Sequence, residues 1–335
     1  MDVYKAAKHI VSLIVEQGFT AYFAGGWVRD YVQGHPSSDI DIATDCPMPT
    51  LLNLFPNALL VGIQFGVIVL PYEGHLFEIA TFRKDLSYTN GRSPDQIEKA
   101  TAEEDAQRRD FTINGLFFDP LEEKIYDYVG GLEDLKKGIL RAIGDPFERF
   151  QEDRLRMVRA VRFHSRFLYP IELKTEEAIQ NYAPELLPAV KPERIYQELT
   201  KMEKEGNFNH ALRELFRLGL LKTFVPSLEK VHLKDFEERL KKMRADTPFA
   251  LKLAVIVNTF EEKIALFDFL KAPNRDKDLI LLSEKAKTLK ADHEWAQFFA
   301  HPDSEAVLKA LDIWEEKQGD IKRLEFYVSL HQNKE

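Results

Sequence analysis

The chain has 335 residues, 44% of them apolar, with a net charge of −9 and one cysteine, Cys46. That length predicts two or three modules rather than a single core, and the lone cysteine excludes an internal disulfide or a Cys-rich metal cluster, making a reducing, cytoplasmic setting the expectation. The acidic balance argues against a broad nucleic-acid surface, yet six arginines and only two acids lie between Arg149 and Arg166, a candidate local basic strip.

Taken in chain order, Asp2 to Gln17 has apolar residues at helical spacing (Val3, Ala6, Ala7, Ile10, Leu13, Ile14), which predicts a helix. The start has no charged segment followed by an apolar one, so no signal peptide is expected. Ala21 to Ala24 reads as a short strand ended by Gly25-Gly26, and Trp27 to Gln33 as a helical turn or two closed by Gly34. Asp39 to Ala43 alternates charged and apolar residues as a strand with two unlike faces does. A short helix over Pro49 to Phe55 precedes three strands, Leu59 to Val61, Val67 to Pro71 and Leu76 to Phe82. Leu86 to Ala106 is polar and without period, with Asn90-Gly91 and Ser93-Pro94, and is expected to be a mobile loop. Past Asp145-Pro146 strand signals stop and amphipathic helices follow, among them Leu155 to Phe167, Ile195 to Met202 and His210 to Leu218. The expected organisation is an α+β head over 1–140, a helical neck and body over 141–230 and a short helical tail over 231–335. Nowhere is there an uninterrupted apolar run of about 18 residues, so no membrane partner is expected.

Three groups of residues suggest chemistry. Asp39 and Asp41, two apart on a strand, point to one side. Two adjacent carboxylates repel unless cations sit between them, which suits them to Mg2+ that also binds substrate phosphates, though an isolated pair is more often a solvated strand face. Gly25-Gly26 before a helix lets backbone N–H groups approach a phosphate, with Arg29 placed to complete an anion site; the plain alternative is a tight turn. Glu78, opposite in parity to Phe77 and Ile79, is either a third carboxylate for a two-metal site or an exposed strand residue.

The order of motifs adds to this. Gly25-Gly26-x-Val28-Arg29-Asp30, Asp39-x-Asp41, Arg108-Arg109-Asp110-Phe111-Thr112-x-Asn114-Gly115, Glu152-Asp153-x-x-Arg156 and Arg159-Ala160-x-Arg162-Phe163 follow one another. The chain thereby resembles the class II tRNA nucleotidyltransferases (CCA-adding enzymes) and bacterial poly(A) polymerases of the DNA polymerase β superfamily, densely from Gly25 to Phe167 and more thinly to Pro226. The resemblance implies a polymerase β-like palm with a mixed sheet, then an all-α neck, body and tail. It implies two-metal nucleotidyl transfer, in which an RNA 3′-hydroxyl attacks an α-phosphate and pyrophosphate leaves. Asp39 and Asp41 would be the metal ligands. Arg109 and Asp110 would contact ribose and triphosphate, and Gly25, Gly26, Arg29, Asn114 and Arg159 would belong to the nucleotide site. The partners implied are the tRNA 3′ acceptor end, ATP and CTP.

Glu152-Asp153-x-x-Arg156 also has a physical reading. Residues three and four apart on a helix share a face, so Glu152 can hold Arg156 while Asp153 and Arg156 project together. ATP and CTP both present an amine donor beside a ring-nitrogen acceptor. An aspartate accepts from the first and an arginine donates to the second, whereas GTP and UTP reverse both signs. The plain alternative is a surface ion-pair helix.

Within the family, the full-length segment between Asp41 and Arg109 disfavours an enzyme adding only C, and Val61 to Ile68, with no Arg or Lys, disfavours poly(A) polymerase. CCA addition is therefore preferred, an A-adding specialist second, poly(A) polymerase third and an inactive RNA-binding protein last. Tyr88-Thr89-Asn90-Gly91-Arg92 stands where relatives often read Tyr-x-Asp-Gly-Arg, and Tyr88, Asn90 and Arg92 mark the expected flexible loop. Trp27 fills a position usually small in the family.

Overall fold

In a computed structural model the structure describes residues 1–35, 37–62, 66–85, 97–241, 243, 246–289 and 292–311. The chain divides into two compact units, one comprising Met1–Arg156 with Leu168–Tyr182 and the other Met157–Phe167 with Ala183–Glu335.

The first unit opens with α1 (Val3–Glu16), capped by the Asp2 side chain, which accepts from Lys5 N at 2.9 Å. Its inward stripe is Ala6, Ala7, Ile10, Val11 and Ile14, the 3.6-residue period made physical. Then follow β1 (Ala21–Ala24), α2 (Gly26–Val32), β2 (Asp41–Thr44), α3 (Met48–Leu54), β3 (Leu59–Gly62), β4 (Val67–Tyr72) and β5 (His75–Thr81). After them come β6 (Arg83–Asp85), β7 (Ile97–Lys99), α4 (Ala102–Gln107), β8 (Leu116–Asp119), β9 (Lys124–Asp127), α5 (Gly131–Lys137), α6 (Pro146–Glu152) and α7 (Leu155–Phe167), the last continuing into the second unit; α8 (Leu173–Tyr182) returns to the first.

Seven strands form one mixed sheet in the order β3-β4-β5-β2-β1-β8-β9, with β2 parallel to β5 and its other pairs antiparallel. One face carries Phe23, Ile42, Ile79 and Phe118, all buried. Trp27 packs here, 5.0 Å from Phe23 and 5.7 Å from Phe118 and stacked on Tyr31, so the unusual tryptophan fills the helix-covered side. The opposite face carries Ala24, Ala43 and Phe117, which cluster with Phe82 and Ala106 of the α4 side.

Two expectations need correction. The stretch expected to be a loop up to Ala106 contains β7 and most of α4. The Thr101 hydroxyl accepts from Glu104 N and Glu104 reaches back to Thr101 N, a capping box that starts a helix in a segment without apolar period. The β8–β9 hairpin was not anticipated; Leu116-Phe117-Phe118 and Lys124-Ile125-Tyr126 carry its strand signal.

The second unit holds the rest of α7, then α9 (Leu186–Ala189), α10 (Pro192–Lys204), α11 (Phe208–Arg217), α12 (Leu233–Leu240), α13 (Phe249–Ala254), α14 (Phe260–Phe269), α15 (Asn274–Thr288), α16 (Asp292–Phe299) and α17 (Ser304–Leu311). No strand occurs among its described residues. Ile195, Leu199 and Met202 on α10 and Phe208, Ala211, Leu212 and Leu215 on α11 are buried at helical spacing. Among the described residues no helix is long and apolar enough to cross a membrane.

Candidate active site

The register of the sheet builds the site. Ala24, the last residue of β1, is the cross-strand partner of Asp41, so the Gly25-Gly26 turn leaves the sheet beside that carboxylate. Ile42 pairs with Ile79 across β2 and β5, which sets Glu78 alongside Asp41 one position earlier. The strand begins at Asp41 rather than Asp39, so exposed Asp39 lies just before the ladder, with buried Ile40 between the two aspartates. Burial first, then the charges of Asp39 and Glu78, push the Asp41 carboxyl up from 3.8 to about 7, against the opposing pull of Arg109. Three carboxylates and one guanidinium thus share a neighbourhood.

Gly25 adopts φ of +67°, and a Cβ there would stand 3.2 Å from Arg109 Nη1, so turn and arginine pack closely only because the side chain is absent. Arg109 is held by a residue overlooked in the sequence, Asp105. One Asp105 oxygen accepts from Arg109 Nε and Nη2 at 3.2 and 3.0 Å; the other takes Arg108 Nε at 2.8 Å and Arg83 N at 3.2 Å. Asp105 is 1% exposed. Burial works to raise its carboxyl, but Arg109 and Arg108 overcome that and hold it below the usual range. The i, i+3 and i, i+4 spacing to Arg108 and Arg109 was the available signal. Arg109 also lies over the Phe117 ring, 4.8 Å from its centroid.

Arg29 differs from expectation. It is 3% exposed, with Nε and Nη2 on Asp30 Oδ1, each at 2.8 Å, and Nη1 donating to Asn114 Oδ1 at 2.6 Å. Asn114 Nδ2 in turn donates to Asp110 Oδ1 at 3.0 Å, and that oxygen accepts from Phe111 N at 2.8 Å. Arg29 is thus the buried root of a chain that orients Asp110, with its Nη2 3.6 Å from where a Cβ at Gly26 would stand.

Glu152 and Arg156 pair at 2.9 Å, but not along one helix. Helix α6 ends at Glu152, and Asp153, extended at φ −143° and ψ 104°, forms the break. Its Oδ1 accepts from Leu155 N at 2.9 Å and so starts α7. Glu152 also binds Arg149 Nη2 at 2.6 Å. Arg156 Nη1 donates to Arg149 O at 3.1 Å and Nη2 to Arg108 O at 2.9 Å, tying the pair to the Asp105–Arg108–Arg109 cluster.

Arg159 belongs to the second unit, 3.7 Å from Glu198. Arg162 meets Glu198 at 2.7 Å and Glu205 at 2.5 Å, and Arg166 lies 3.6 Å from Glu205. Three of the strip's six arginines, Arg159, Arg162 and Arg166, are therefore paired with Glu198 of α10 and Glu205 just after it, while Arg149 and Arg156 share Glu152. Tyr88, Asn90 and Arg92 lie outside the described residues.

The donor set fits a divalent cation, since a positive charge between Asp39 and Asp41 would relieve the repulsion that lifts Asp41. Comparison with known proteins agrees. Residues 21–141 match the poly A polymerase head domain, and residues 169–231 match the probable RNA and SrmB-binding site of polymerase A. The first unit thus carries a nucleotidyltransferase head. The CCA-adding enzyme of Ligilactobacillus salivarius is 41% identical over 222 residues, 66% of this chain and 54% of that one. That of Lactococcus lactis subsp. lactis is 32% identical over 356 aligned positions, 94% of this chain and 88% of that one. The crystal structure of the Bacillus stearothermophilus CCA-adding enzyme in complex with CTP superposes with a TM-score of 0.72 at 27% identity, over 94% of this chain and 83% of that one. The chain belongs to the CCA-adding enzyme family, and membership implies a divalent-metal requirement. Its match spans about half the length of the Ligilactobacillus relative.

Proposed function

We propose that this chain adds C and A residues, from CTP and ATP, to the 3′ end of tRNA by template-independent nucleotidyl transfer with two Mg2+ ions. The observation that carries the reading is the sheet register, which sets Asp41 beside Glu78 and beside the Gly25-Gly26 turn that Arg109 packs against, in a chain of the CCA-adding enzyme family. Asp39 and Asp41 are the ligands, with Glu78 the third carboxylate of the set. Ions held there would supply the chemistry of lowering the pKa of the attacking 3′-hydroxyl and of neutralising charge on the departing pyrophosphate. The Gly25-Gly26 turn gives the triphosphate close access to the backbone, and Arg109, locked by Asp105, supplies fixed positive charge to it. Asp110, oriented through Asn114 by Arg29, reads the ribose. Asp153 accepts from the base amine and Arg156, held by Glu152, donates to the ring nitrogen, which admits C and A and rejects G and U. A tRNA substrate and the lone cysteine support a cytoplasmic setting.

The test supplies the pure protein with Mg2+, each labelled NTP, and tRNAs lacking the whole terminal triplet, only its last A, or nothing. C then C then A on the first substrate, A alone on the second and nothing on the third is the expected pattern. Incorporation of A only, or of a long A tract, refutes CCA addition in favour of the A-adding or poly(A) alternative.

A further inference from the structure

In the second unit, two helices bring together a set of donors that nucleotidyl transfer does not use. His164 of α7 and His210 of α11 face each other through Nε2 atoms 2.9 Å apart. Glu214, one turn beyond His210 and buried, completes a group whose ligand atoms all lie within 4.8 Å of one another. We propose that His164, His210 and Glu214 form a binding site for a transition-metal dication, zinc by its donor chemistry, that pins α7 to α11.

Three features support this. The first is geometry: two imidazole nitrogens on a tetrahedral Zn2+, at about 2.0–2.1 Å from the metal, stand about 3.3 Å apart. The observed 2.9 Å is close to that spacing, and bringing the Glu214 oxygen to it requires a side-chain adjustment of about 1.5 Å at most. Three protein ligands of the His-His-Glu type with a water in the fourth position is a known zinc arrangement, and the His210–Glu214 spacing of four residues sets both on one face of α11.

The second is protonation. Two imidazole nitrogens at this distance cannot both carry hydrogen toward each other; either one donates to the other or both lone pairs meet a cation.

The third is the surrounding charge. Glu214 accepts from Arg213 Nη1 and, at 2.7 Å, from Arg217 Nε, contacts that orient its carboxylate and lengthen as it closes on the ion. Arg213 also gives its Nε to Glu237 at 2.6 Å. Arg213 and Arg217 are thus matched by Glu214 and Glu237, so the pocket does not carry a net positive charge against the incoming ion.

The test uses the full chain with Asp39→Ala and Asp41→Ala, which removes the metal ligands proposed for the head. After treatment with chelator the protein is titrated with Zn2+ by calorimetry and with Co2+ by visible absorption. One equivalent of Zn2+, a Co2+ spectrum of tetrahedral nitrogen–oxygen type and a Zn2+-dependent rise in Tm are expected. His164→Asn and His210→Asn should each weaken Zn2+ binding at least about a hundredfold, beyond the 10- to 100-fold typical of residues that only orient ligands. Circular dichroism confirms that these variants fold; should His210→Asn not fold, the half-buried His164→Asn carries the test alone. Absence of stoichiometric binding, or binding unchanged in His164→Asn, overturns the proposal and leaves the pair as a hydrogen bond between neutral rings.

Discussion

Asp105 and Arg109 are joined through a single carboxylate oxygen that accepts from both Nε and Nη2, at 3.2 and 3.0 Å, while the other oxygen holds Arg108. A guanidinium fixed in this way meets a triphosphate with its orientation already set, so less freedom is lost on binding. Asp105→Asn keeps the shape and removes the charge. Each weakened charged hydrogen bond costs about 1.5–3 kcal/mol, so the KM for ATP and CTP should rise about ten- to a hundredfold with a smaller change in kcat. Because the Asp105 carboxyl is held below the usual range, its stabilisation is present above that range and is lost as pH falls through the folded-state value. The difference in Tm between wild type and variant should therefore narrow in acid. A KM unchanged for both nucleotides would mean that Asp105 only anchors α4.

Asp39→Ala and Asp41→Ala should abolish incorporation without unfolding the protein, measured as primer extension with far-ultraviolet circular dichroism as control. Near wild-type turnover in either would remove the proposed site.

Asp41 gives a pH signature of opposite sign. Its folded-state value, about 7, lies above the ordinary 3.8, so between those values the folded protein holds a proton that the unfolded chain has released. Stability from this group is full below the lower value and declines as pH rises through 7. In chelator at pH 8, Asp41→Asn should therefore be more stable than wild type, by about 1–2 kcal/mol after allowance for solvent screening. The gap should close toward pH 4. A variant less stable than wild type at pH 8 would contradict the crowding of charge inferred here.

Asp153 both caps α7 and is proposed to read the base, and two substitutions separate these roles. Asp153→Ala loses the bond from Leu155 N, a cost of about 1 kcal/mol to the helix, together with any base contact. Asp153→Asn keeps an oxygen that can cap. If the base reading is right, both variants lose about ten- to a hundredfold in kcat/KM for ATP and for CTP, and discrimination against UTP and GTP relaxes. Loss in Asp153→Ala alone, uniform over the four nucleotides, would assign Asp153 to the helix start only.

Arg29 should behave as a structural residue. Arg29→Gln removes the guanidinium from buried Asp30 and from Asn114 Oδ1, a loss of about 3–5 kcal/mol by analogy with other broken buried pairs. A large fall in Tm is expected even without nucleotide, whereas an unchanged Tm with weakened triphosphate binding would restore the anion-site role.

Much of the head was legible in the sequence. The strand order in the chain, the helix over Asp2 to Gln17, the Gly25-Gly26 exit and the family motifs all rest on residues that are neighbours along the chain, and α7 spans Leu155–Phe167 as its periodicity predicted. Where the pattern was weak, so was the prediction: α4 begins on a capping box without an apolar stripe, and the β8–β9 hairpin is short.

The order of elements, the family and the residue types able to hold a cation and read a base were determined by the sequence itself, because periodicity, turn chemistry and motif spacing are local. Which charges remain available was decided only by tertiary structure. Arg162 finds Glu198 from 36 residues away, Arg29 reaches Asn114 across 85, and Arg156 ties to the Arg108 carbonyl across 48. Arg149, Arg156, Arg159, Arg162 and Arg166 of the strip entered ion pairs, Arg29 turned to Asp30 and Asn114, and Asp153 fell in a break between helices. A buried charge must find its partner wherever the fold supplies one, and that partner's place along the chain leaves no local pattern.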